Sequence, residues 1–378
     1  MSLTQQAYNQ AILVLKKCIT PKGLYASAGK GGYFAVWSRD AFISLLGGSL
    51  IAQDFKKVFA TSLKILAKNQ AKLGQIPNCV GDFNVDRNST VTFTTIDSSL
   101  WFIIGQYVYA ESYRDKKLLK KHKPAIDKAL VWVQCQDTGE DCLPEQQPTS
   151  DWQDAFPHKY GHAINTQALY YEVLKLMGQK KEAAKVKKIV NGQGRKDMKM
   201  FDSKKGYYLP WIWKNHDGDR EQGEWFDSLG NLLAIVTGLA PDAEAKKILN
   251  YIEKNKVNRP YPVKAIYPPI YPDSKDWHSY FEKCEAKTPY HYANAGIWPC
   301  LGGFYVAALV KAKKYKKATA ELEMLAKANK LGAGGSWKFN EWINGKTGKP
   351  TPNDYQAWSA GMYIYAYECV KRKKVIWF

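Results

Sequence analysis

Apolar residues recur at helical spacing along most of the chain, and loops separate the segments that carry them. In residues 3–18, for example, Ala7, Ala11, Val14 and Leu15 fall on one face of a helix with 3.6 residues per turn. Strand signals are weak and limited to short pieces around residues 91–93. The pattern predicts twelve helices, at 3–18, 41–53, 54–70, 96–113, 116–135, 162–177, 180–190, 225–239, 241–254, 301–311, 314–329 and 354–371.

The loops between these helices alternate in length and character. Short turns rich in Gly or Lys take turns with long loops that carry aromatic and polar residues. Such an alternation is typical of six helical hairpins closed into a ring, with every long loop on one face. We therefore predict an all-α fold, an (α/α)6 barrel. An open helical solenoid is the alternative, although no repeat of fixed sequence is visible. No linker rich in Pro, Gly or Ser divides residues 1–378, so a single domain is expected.

Composition adds a cavity and argues against a nucleic-acid partner. The 378 residues include 13 Trp and 24 Tyr, which indicates a lined cavity as well as a core, because both side chains join apolar area to a polar group. The net charge of +20 comes from 55 Lys and Arg against 35 Asp and Glu. Most of the excess is Lys on amphipathic segments without a recognition motif, which indicates solvated helix faces and no nucleic-acid binding.

Several other classes of protein are disfavoured. The seven cysteines form no CxxC pair, which favours free thiols in a reducing compartment. The first residues lack a signal peptide, and the apolar runs are too short to cross a membrane, so a cytoplasmic protein without a membrane partner is expected. There is no HExxH, GxSxG or P-loop motif. We predict no metal and no cofactor, and a homo-oligomer stays open.

Two carboxylates flank a tryptophan in the long loop before the predicted helix 162–177: Asp151, Trp152 and Asp154. A second aromatic loop, just before the last helix, carries Glu341 beside Trp342. Cleavage of a glycosidic bond commonly needs two carboxyl groups, one to protonate the leaving oxygen and one to act as base or nucleophile. Asp154 and Glu341 are the candidate pair, because both lie in long loops and the alternation is expected to place all long loops on one face of the ring. A small carbohydrate is the expected partner.

Further loop residues are candidates for sugar binding. Asp40, Asp97 and Asp227 precede helices and fit either N-caps or ligands of sugar hydroxyls. Trp37, Trp101, Trp152, Trp298 and Trp358 lie near loop–helix junctions and fit either the core or platforms for a pyranose ring. A sugar epimerase that uses His158 and His162 is an alternative, and so is a sugar-binding protein without turnover.

Several blocks of sequence, taken together, resemble the alkaline/neutral invertases of glycoside hydrolase family 100 and their (α/α)6 relatives in family 63. The resemblance extends over essentially the whole chain. The blocks are Val36 to Asp40, Ile96 to Trp101, Asp154 through Gly161 to Gln167 and Ala168, Trp225 to Asn231, Asn294 to Pro299, Glu341 to Gly345, and Tyr355 to Ser359 with Gln356 and Trp358.

The resemblance implies an inverting mechanism in which Asp154 is the general acid and Glu341 the general base. It also implies that Trp37, Arg39, Asp40, Asp97 and Trp101 line the subsite for the non-reducing sugar. Asp151, Trp152, Gln167, Asn294, Trp298, Gln356 and Trp358 complete the expected substrate-binding set.

Two positions depart from the invertase pattern. Asp154 is followed by Ala155 and Phe156 where the invertases have two arginines, and Asn294-Ala295-Gly296 replaces Asn-Gly-Gly. The substrate therefore stays open among sucrose, a glucosylglycerate and a short gluco-oligosaccharide. A disaccharide phosphorylase on the same barrel is a further alternative, although the large β-rich domain usual in those enzymes is missing from this sequence and Glu341 favours hydrolysis.

Overall fold

Helices dominate the computed structural model of the protein, which describes residues 1–30, 32–51, 55–81 and 89–378. Within these ranges there are thirteen α-helices. They are α1 (Leu3–Lys17), α2 (Ser38–Gly48), α3 (Lys56–Lys68), α4 (Asp97–Ser112), α5 (Lys117–Lys121), α6 (Lys123–Gln134), α7 (Ile164–Leu176), α8 (Lys180–Val190), α9 (Ser228–Thr237), α10 (Asp242–Lys254), α11 (Pro299–Lys311), α12 (Tyr315–Lys330) and α13 (Ala357–Arg372).

Short strands of two to four residues decorate the loops. In the described part of the chain they pair in five small antiparallel sheets of two or three strands, and none of these forms a separate layer. They are β1 (Ile19–Thr20), β2 (Gly23–Leu24), β3 (Ala35–Trp37), β4 (Cys79–Gly81), β5 (Val91–Thr92), β6 (His162–Ala163), β7 (Phe201–Asp202), β8 (Tyr207–Tyr208), β9 (Trp211–Lys214), β10 (Arg220–Gln222), β11 (Phe226–Asp227) and β12 (Ile266–Tyr267).

Six of the helices close a ring. Going around the ring, α2 packs on α4, α4 on α7, α7 on α9, α9 on α11, α11 on α13, and α13 back on α2. Other helices lie outside and pack on this ring, for example α1 on α13, α8 on α7 and α12 on α11. The predicted (α/α)6 barrel is confirmed, and the closed ring excludes the open solenoid.

Burial distinguishes the inner from the outer helices. Every residue of α11 except its last, Lys311, is buried, because that helix is surrounded by other helices. The outer helix α10 buries only one face, formed by Ala245, Ile248, Leu249 and Ile252, and exposes its charged residues. This difference follows the sequence pattern, since a helix that is apolar all round belongs inside and an amphipathic one belongs at the surface.

Glycines allow the first and last inner helices to touch. A Cβ atom on Gly47 of α2 would lie 1.8 Å from the carbonyl oxygen of Gly361 in α13. A Cβ atom on Gly361 would lie 2.6 Å from the Cα atom of Ser44. Any larger side chain at this crossing would push the two backbones apart. The closure of the ring therefore depends on this pair of small residues.

The connections that enter four of the six inner helices carry predicted residues of one cavity. Trp37 precedes α2, Asp154 precedes α7, Trp298 precedes α11 and Glu341 precedes α13. Each of these inner helices has its N-terminal end at the loops that meet around one cavity, described below. The arrangement agrees with the predicted phase of the long loops.

Two details of the helix prediction are wrong. The helix predicted at 116–135 is broken at His122, because Pro124 lacks the N–H needed to continue α5, and a new helix, α6, begins at Lys123. Asp40 was expected to cap the second helix, but α2 already begins at Ser38, so Asp40 lies in its first turn and Trp37 occupies the cap position. The predicted boundary at residues 53 and 54 lies outside the described residues.

No helix in the described part of the chain is long and apolar enough to cross a membrane. The single domain, the homo-oligomer and the cytoplasmic location stay predictions.

Candidate active site

A cavity of about 230 Å³ opens at the face where the long loops meet. Its walls combine the predicted carboxylates, a buried arginine and several aromatic rings. The lining residues are Tyr33, Trp37, Arg39, Asp40, Trp152, Asp154, Tyr292, Trp298, Glu341 and Trp358. Asp154 and Glu341, which are far apart in sequence, thus share one enclosed space.

Arg39 organises the carboxylates on one side of this cavity. Its guanidinium lies 3.3 Å from Asp97, 3.5 Å from Asp154 and 3.9 Å from Asp40. Burial lowers the pKa of Arg39, but Asp97, Asp40 and Asp154 raise it by more, so the guanidinium stays charged. The Asp154 side chain retains 30% of its exposure, because it faces the cavity. Arg39 therefore holds Asp154 through its Oδ2 atom at the wall of the cavity.

Glu341 is held by two hydrogen-bond donors at the wall of this cavity. The Tyr33 hydroxyl donates to Oε1 at 3.1 Å, and the Asn353 amide donates to Oε2 at 3.0 Å. Burial raises the pKa of Glu341 to about 8, although the hydrogen bonds from Asn353 and Tyr33 lower it; Asp40 and Glu285 raise it further. A carboxyl group with such a pKa exchanges its proton near neutral pH, as acid–base catalysis requires.

The remaining carboxylates on this side also resist ionisation. Burial raises the pKa of Asp40 and that of Asp97 to about 6, against the opposing effect of Arg39. Burial raises the pKa of Asp154 too, with Arg39 opposing and Asp151 adding to the shift. Several carboxyl groups close together cannot all ionise, so the cluster keeps protons at a pH where an exposed carboxylate would have none.

Aromatic rings form the floor of the cavity. Trp298 contacts Trp152 edge to face at 5.4 Å between ring centroids and Trp358 at 5.6 Å. Tyr292 packs on Trp298 at 5.0 Å and accepts a hydrogen bond from its indole through the backbone carbonyl. The indole nitrogens of Trp152 and Trp358 are buried without a hydrogen-bond partner. Flat apolar rings next to unpaired donors suit a ligand that has both apolar faces and hydroxyl groups.

A second cavity of about 350 Å³ adjoins the first. It shares two lining residues with the first cavity, Trp37 and Asp154. Its other walls are polar and are formed by Asn78, Thr92, Thr94, Gln147, Pro148, Thr149 and Ser150. The side-chain oxygen of Asn78 is buried there without a partner. Asp154 therefore lies between two cavities, whereas Glu341 lines only the first.

A buried ion cluster anchors the loop that carries Asp154. The Lys159 ammonium is fully buried and lies 2.7 Å from Asp151 and 3.1 Å from Asp227. Burial lowers the pKa of Lys159, but Asp151 and Asp227 raise it by more. Asp227 also caps α9 by accepting from the Gly230 amide at 3.3 Å. Lys159 thus connects the loop that carries Asp151 and Asp154 to the start of the inner helix α9.

Six of the predicted substrate-binding residues lie behind the cavity and not in its lining. Asp97 contacts Arg39, and Asp151 contacts Lys159. Trp101 packs in the core against Phe304. The others fix loops. Gln167 donates to the Pro144 carbonyl, Asn294 bonds to the backbone of Ile270 and Ala286, and the backbone of Gln356 bonds to Phe339.

Four residues of the site were missed by sequence reasoning. Tyr33 and Tyr292 line the cavity, and Asn353 donates a hydrogen bond to Glu341. Lys159 anchors the loop that carries Asp154. Tyr33 directly follows the sequence Gly29-Lys30-Gly31-Gly32, and a tyrosine next to a run of glycines is the one signal that could have drawn attention to it. The buried state of Lys159 has no signal in the sequence, because lysine is rarely buried.

The two histidines considered for an epimerase lie away from this cavity. His158 stacks on His278 at 3.8 Å, and His162 lies 3.5 Å from both Asp141 and Glu145, outside the cavity lining. Among the described residues, no group of three His, Cys, Asp or Glu side chains could hold a metal ion. The titratable groups that line the cavity are carboxylates, an arginine and tyrosines.

Comparison of the sequence with known proteins points to enzymes that act on sugars. Residues 10–365 match the family described as amylo-alpha-1,6-glucosidase. The mitochondrial neutral/alkaline invertase 1 of rice is 30% identical over 144 residues, which are 37% of this chain and 22% of the invertase. The probable alkaline/neutral invertase D of Arabidopsis thaliana is 30% identical over 167 residues, which are 43% of this chain and 29% of that protein. The matches therefore span less than a third of either invertase.

Solved structures share the fold. A family 63 mannosylglycerate hydrolase of Thermus thermophilus, in complex with Tris and D-glycerate, aligns with a TM-score of 0.71 over 95% of this chain and 99% of its own, at 13% identity. A rhamnosidase of Klebsiella oxytoca with bound rhamnose aligns with a TM-score of 0.65 over 96% of this chain and 63% of its own, at 14% identity. The family match extends over nearly the whole chain, and the protein belongs to the amylo-alpha-1,6-glucosidase family of glycoside hydrolases.

Proposed function

We propose that the protein is an inverting glycoside hydrolase that cleaves a small α-glucoside, with Asp154 as the general acid and Glu341 as the general base. The observation that carries this proposal is the position of Asp154 between the two cavities, with Glu341 in the first one alone. The sugar ring would occupy the cavity of about 230 Å³, and the leaving group would occupy the polar cavity beyond Asp154. The acid then faces the leaving oxygen, and the base faces water on the other side of the ring.

The proton of the pair needs to be on Asp154 for the reaction. In the free enzyme the raised pKa of Glu341, about 8, favours a proton on Glu341, while Arg39 favours an ionised Asp154. The active form, with Asp154 protonated and Glu341 ionised, is then one of two forms that hold a single proton. We expect kcat/KM for glycosides to fall above about pH 8, because the pair has then lost both protons.

The walls of the cavity support a sugar as ligand. Trp152, Trp298 and Trp358 would contact the apolar faces of the ring, and Arg39 and Asp40 would bind hydroxyl groups. The epimerase alternative has less support, because neither His158 nor His162 lines this cavity. A phosphorylase would differ from a hydrolase by its requirement for phosphate. A sugar-binding protein without turnover would differ by forming no product.

Proton NMR of the reaction tests the proposal. The purified protein is incubated with sucrose, glucosylglycerate, trehalose, maltose or isomaltose, each with and without phosphate, and the anomeric signals are followed from the first minutes. Release of the β-anomer without phosphate is the expected result. An attacked glucosyl unit that first appears as the α-anomer, a requirement for phosphate, or no product with any substrate would each contradict inverting hydrolysis.

A further inference from the structure

The polar cavity next to Asp154 continues outward. Gln147 and Pro148 line this cavity, and they also line an outer groove of about 970 Å³. The inner cavity, the polar cavity and the outer groove therefore follow one another, joined first by Trp37 and Asp154 and then by Gln147 and Pro148. A single sugar as leaving group would fill only the first part of this path.

A three-stranded sheet forms one wall of the outer groove. Its strands are β10, β9 and β6, with β9 in the centre. Trp211 and Trp213 of β9 are two positions apart and so project on the same side of the sheet. Glu221 of β10 is the cross-strand partner of Trp213. All three residues line the groove, so this side of the sheet presents two indoles and a carboxylate to it.

The chain that leads to β6 adds another ring to this surface. Tyr160 packs on Trp211 at 4.5 Å and on Trp213 at 6.0 Å between ring centroids, and its hydroxyl donates to Glu221. The next residue, Gly161, allows this contact, since a Cβ atom there would lie 2.9 Å from that of Trp213. Tyr160, Trp211 and Trp213 form what we call the aromatic wall. Aromatic rings beside carboxylates and amides are suited to the faces and hydroxyls of sugars.

The charge of the outer groove disfavours an anionic ligand. Four carboxylates (Glu145, Glu221, Glu224 and Asp276) line it against two cations, Arg220 and Lys275. The polar cavity adds only Asp154 among its charged lining residues. The chain as a whole carries +20, so this acidic path is a local exception. Like charges would repel a phosphorylated or carboxylated chain, whereas a neutral one meets no such barrier.

We infer that the outer groove binds the leaving-group side of the substrate and that this side is a neutral oligosaccharide longer than one sugar unit. The inference rests on the proposed function, because it assigns the groove to the side of the bond that Asp154 protonates. The aromatic wall binds a sugar unit remote from the scissile bond. Specificity for longer substrates then resides in residues that never contact the reacting atoms.

Titration calorimetry with maltose and maltohexaose tests the groove, with Asp154→Asn as the parent protein so that the sugars bind without being cleaved. The parent is expected to bind maltohexaose about tenfold more tightly than maltose, a gain that one aromatic–sugar contact can supply. Adding Trp213→Ala is expected to remove most of this gain. Adding Tyr171→Ala is the matched control, because Tyr171 lies on α7 outside all three cavities and should preserve the gain. Equal affinity of the parent for both sugars, or a full gain in the variant with Trp213→Ala, would overturn the inference.

A second readout separates this inference from the proposed function. α-Glucosyl fluoride has no sugar as leaving group, so its hydrolysis reports only on the inner cavity and the carboxylate pair. Hydrolysis of the fluoride by a protein without preference for chain length would overturn the groove alone. A length preference that depends on Trp213, in a protein that hydrolyses neither the fluoride nor any oligosaccharide, would overturn the proposed function and support a binding groove.

Discussion

Replacement of Tyr33 by Phe removes one of the two side-chain hydrogen bonds that stabilise the ionised form of Glu341. The Tyr33 hydroxyl lies 3.1 Å from Oε1, and its hydrogen bond lowers the pKa of Glu341 against the larger effect of burial, which leaves that pKa at about 8. A hydrogen bond to a charged group contributes about 1.5 kcal/mol or more. Since one pKa unit corresponds to about 1.4 kcal/mol, Tyr33→Phe should raise the pKa of Glu341 by about one unit.

The assay is the pH dependence of kcat/KM with α-glucosyl fluoride. Fluoride leaves without a proton, so the rate depends on the ionised base and not on Asp154. A base whose pKa is raised loses activity as the pH falls below that pKa. We expect the wild-type rate to rise with pH to a plateau, with a midpoint near 8, and the midpoint of Tyr33→Phe to lie about one unit higher.

A matched control is available elsewhere in the chain. The Tyr8 hydroxyl donates to Glu368 at 3.2 Å, a contact of the same kind between α1 and α13. Tyr8→Phe should lower stability slightly and leave the midpoint unchanged. If the midpoint is the same in the wild type and in Tyr33→Phe, or if the fluoride rate does not rise with pH at all, Glu341 is not the base.

Three other changes test the frame around the site. Lys159→Met should lower the free energy of unfolding by about 3–5 kcal/mol in chemical denaturation, because it leaves Asp151 and Asp227 buried without their cation; a loss below about 1 kcal/mol would refute a charged cluster. Trp101→Phe should lower stability by about 1–3 kcal/mol and leave KM unchanged, since Trp101 lies in the core; a raised KM would restore it as a sugar platform. Gly47→Ala should lower the free energy of unfolding, measured by thermal unfolding, by about 3 kcal/mol or more, because its Cβ atom would overlap the Gly361 carbonyl. Wild-type stability of this variant would show that the two helices can move apart without loss.

Helical periodicity and the alternation of short and long loops predicted the barrel, and the closed ring of the structure decided against the open solenoid that fitted the same pattern. The apolar run of α11 and the one-sided pattern of α10 identify an inner and an outer helix without any contact information. The break at His122 was missed because the apolar pattern continues across it, although Pro124 inside the predicted helix 116–135 was a signal for a break. Helix boundaries depend on such local hydrogen bonds more than on periodicity.

The candidate site could be predicted only as far as its loops. Phase in the alternation placed Asp154 and Glu341 on the same face, and the aromatic neighbours pointed to Trp152, Trp298 and Trp358. The sequence could not separate residues that line the cavity from residues behind it. Asp40 and Asp97 look alike in sequence, yet Asp40 lines the cavity and Asp97 lies behind it against Arg39. That difference depends on the direction of a side chain and appears only in three dimensions.

The assignment of acid and base is the central claim, and one comparison of two variants tests it most directly. Asp154→Asn and Glu341→Gln are each assayed at pH 8 with an α-glucoside and with α-glucosyl fluoride. Asp154→Asn should lose activity on the glucoside by a factor of about 10²–10⁴ and retain most of its activity on the fluoride, because only the glucoside needs an acid. Glu341→Gln should lose both activities. Equal losses on the two substrates in Asp154→Asn, or a Glu341→Gln variant that still hydrolyses the fluoride, would contradict the account.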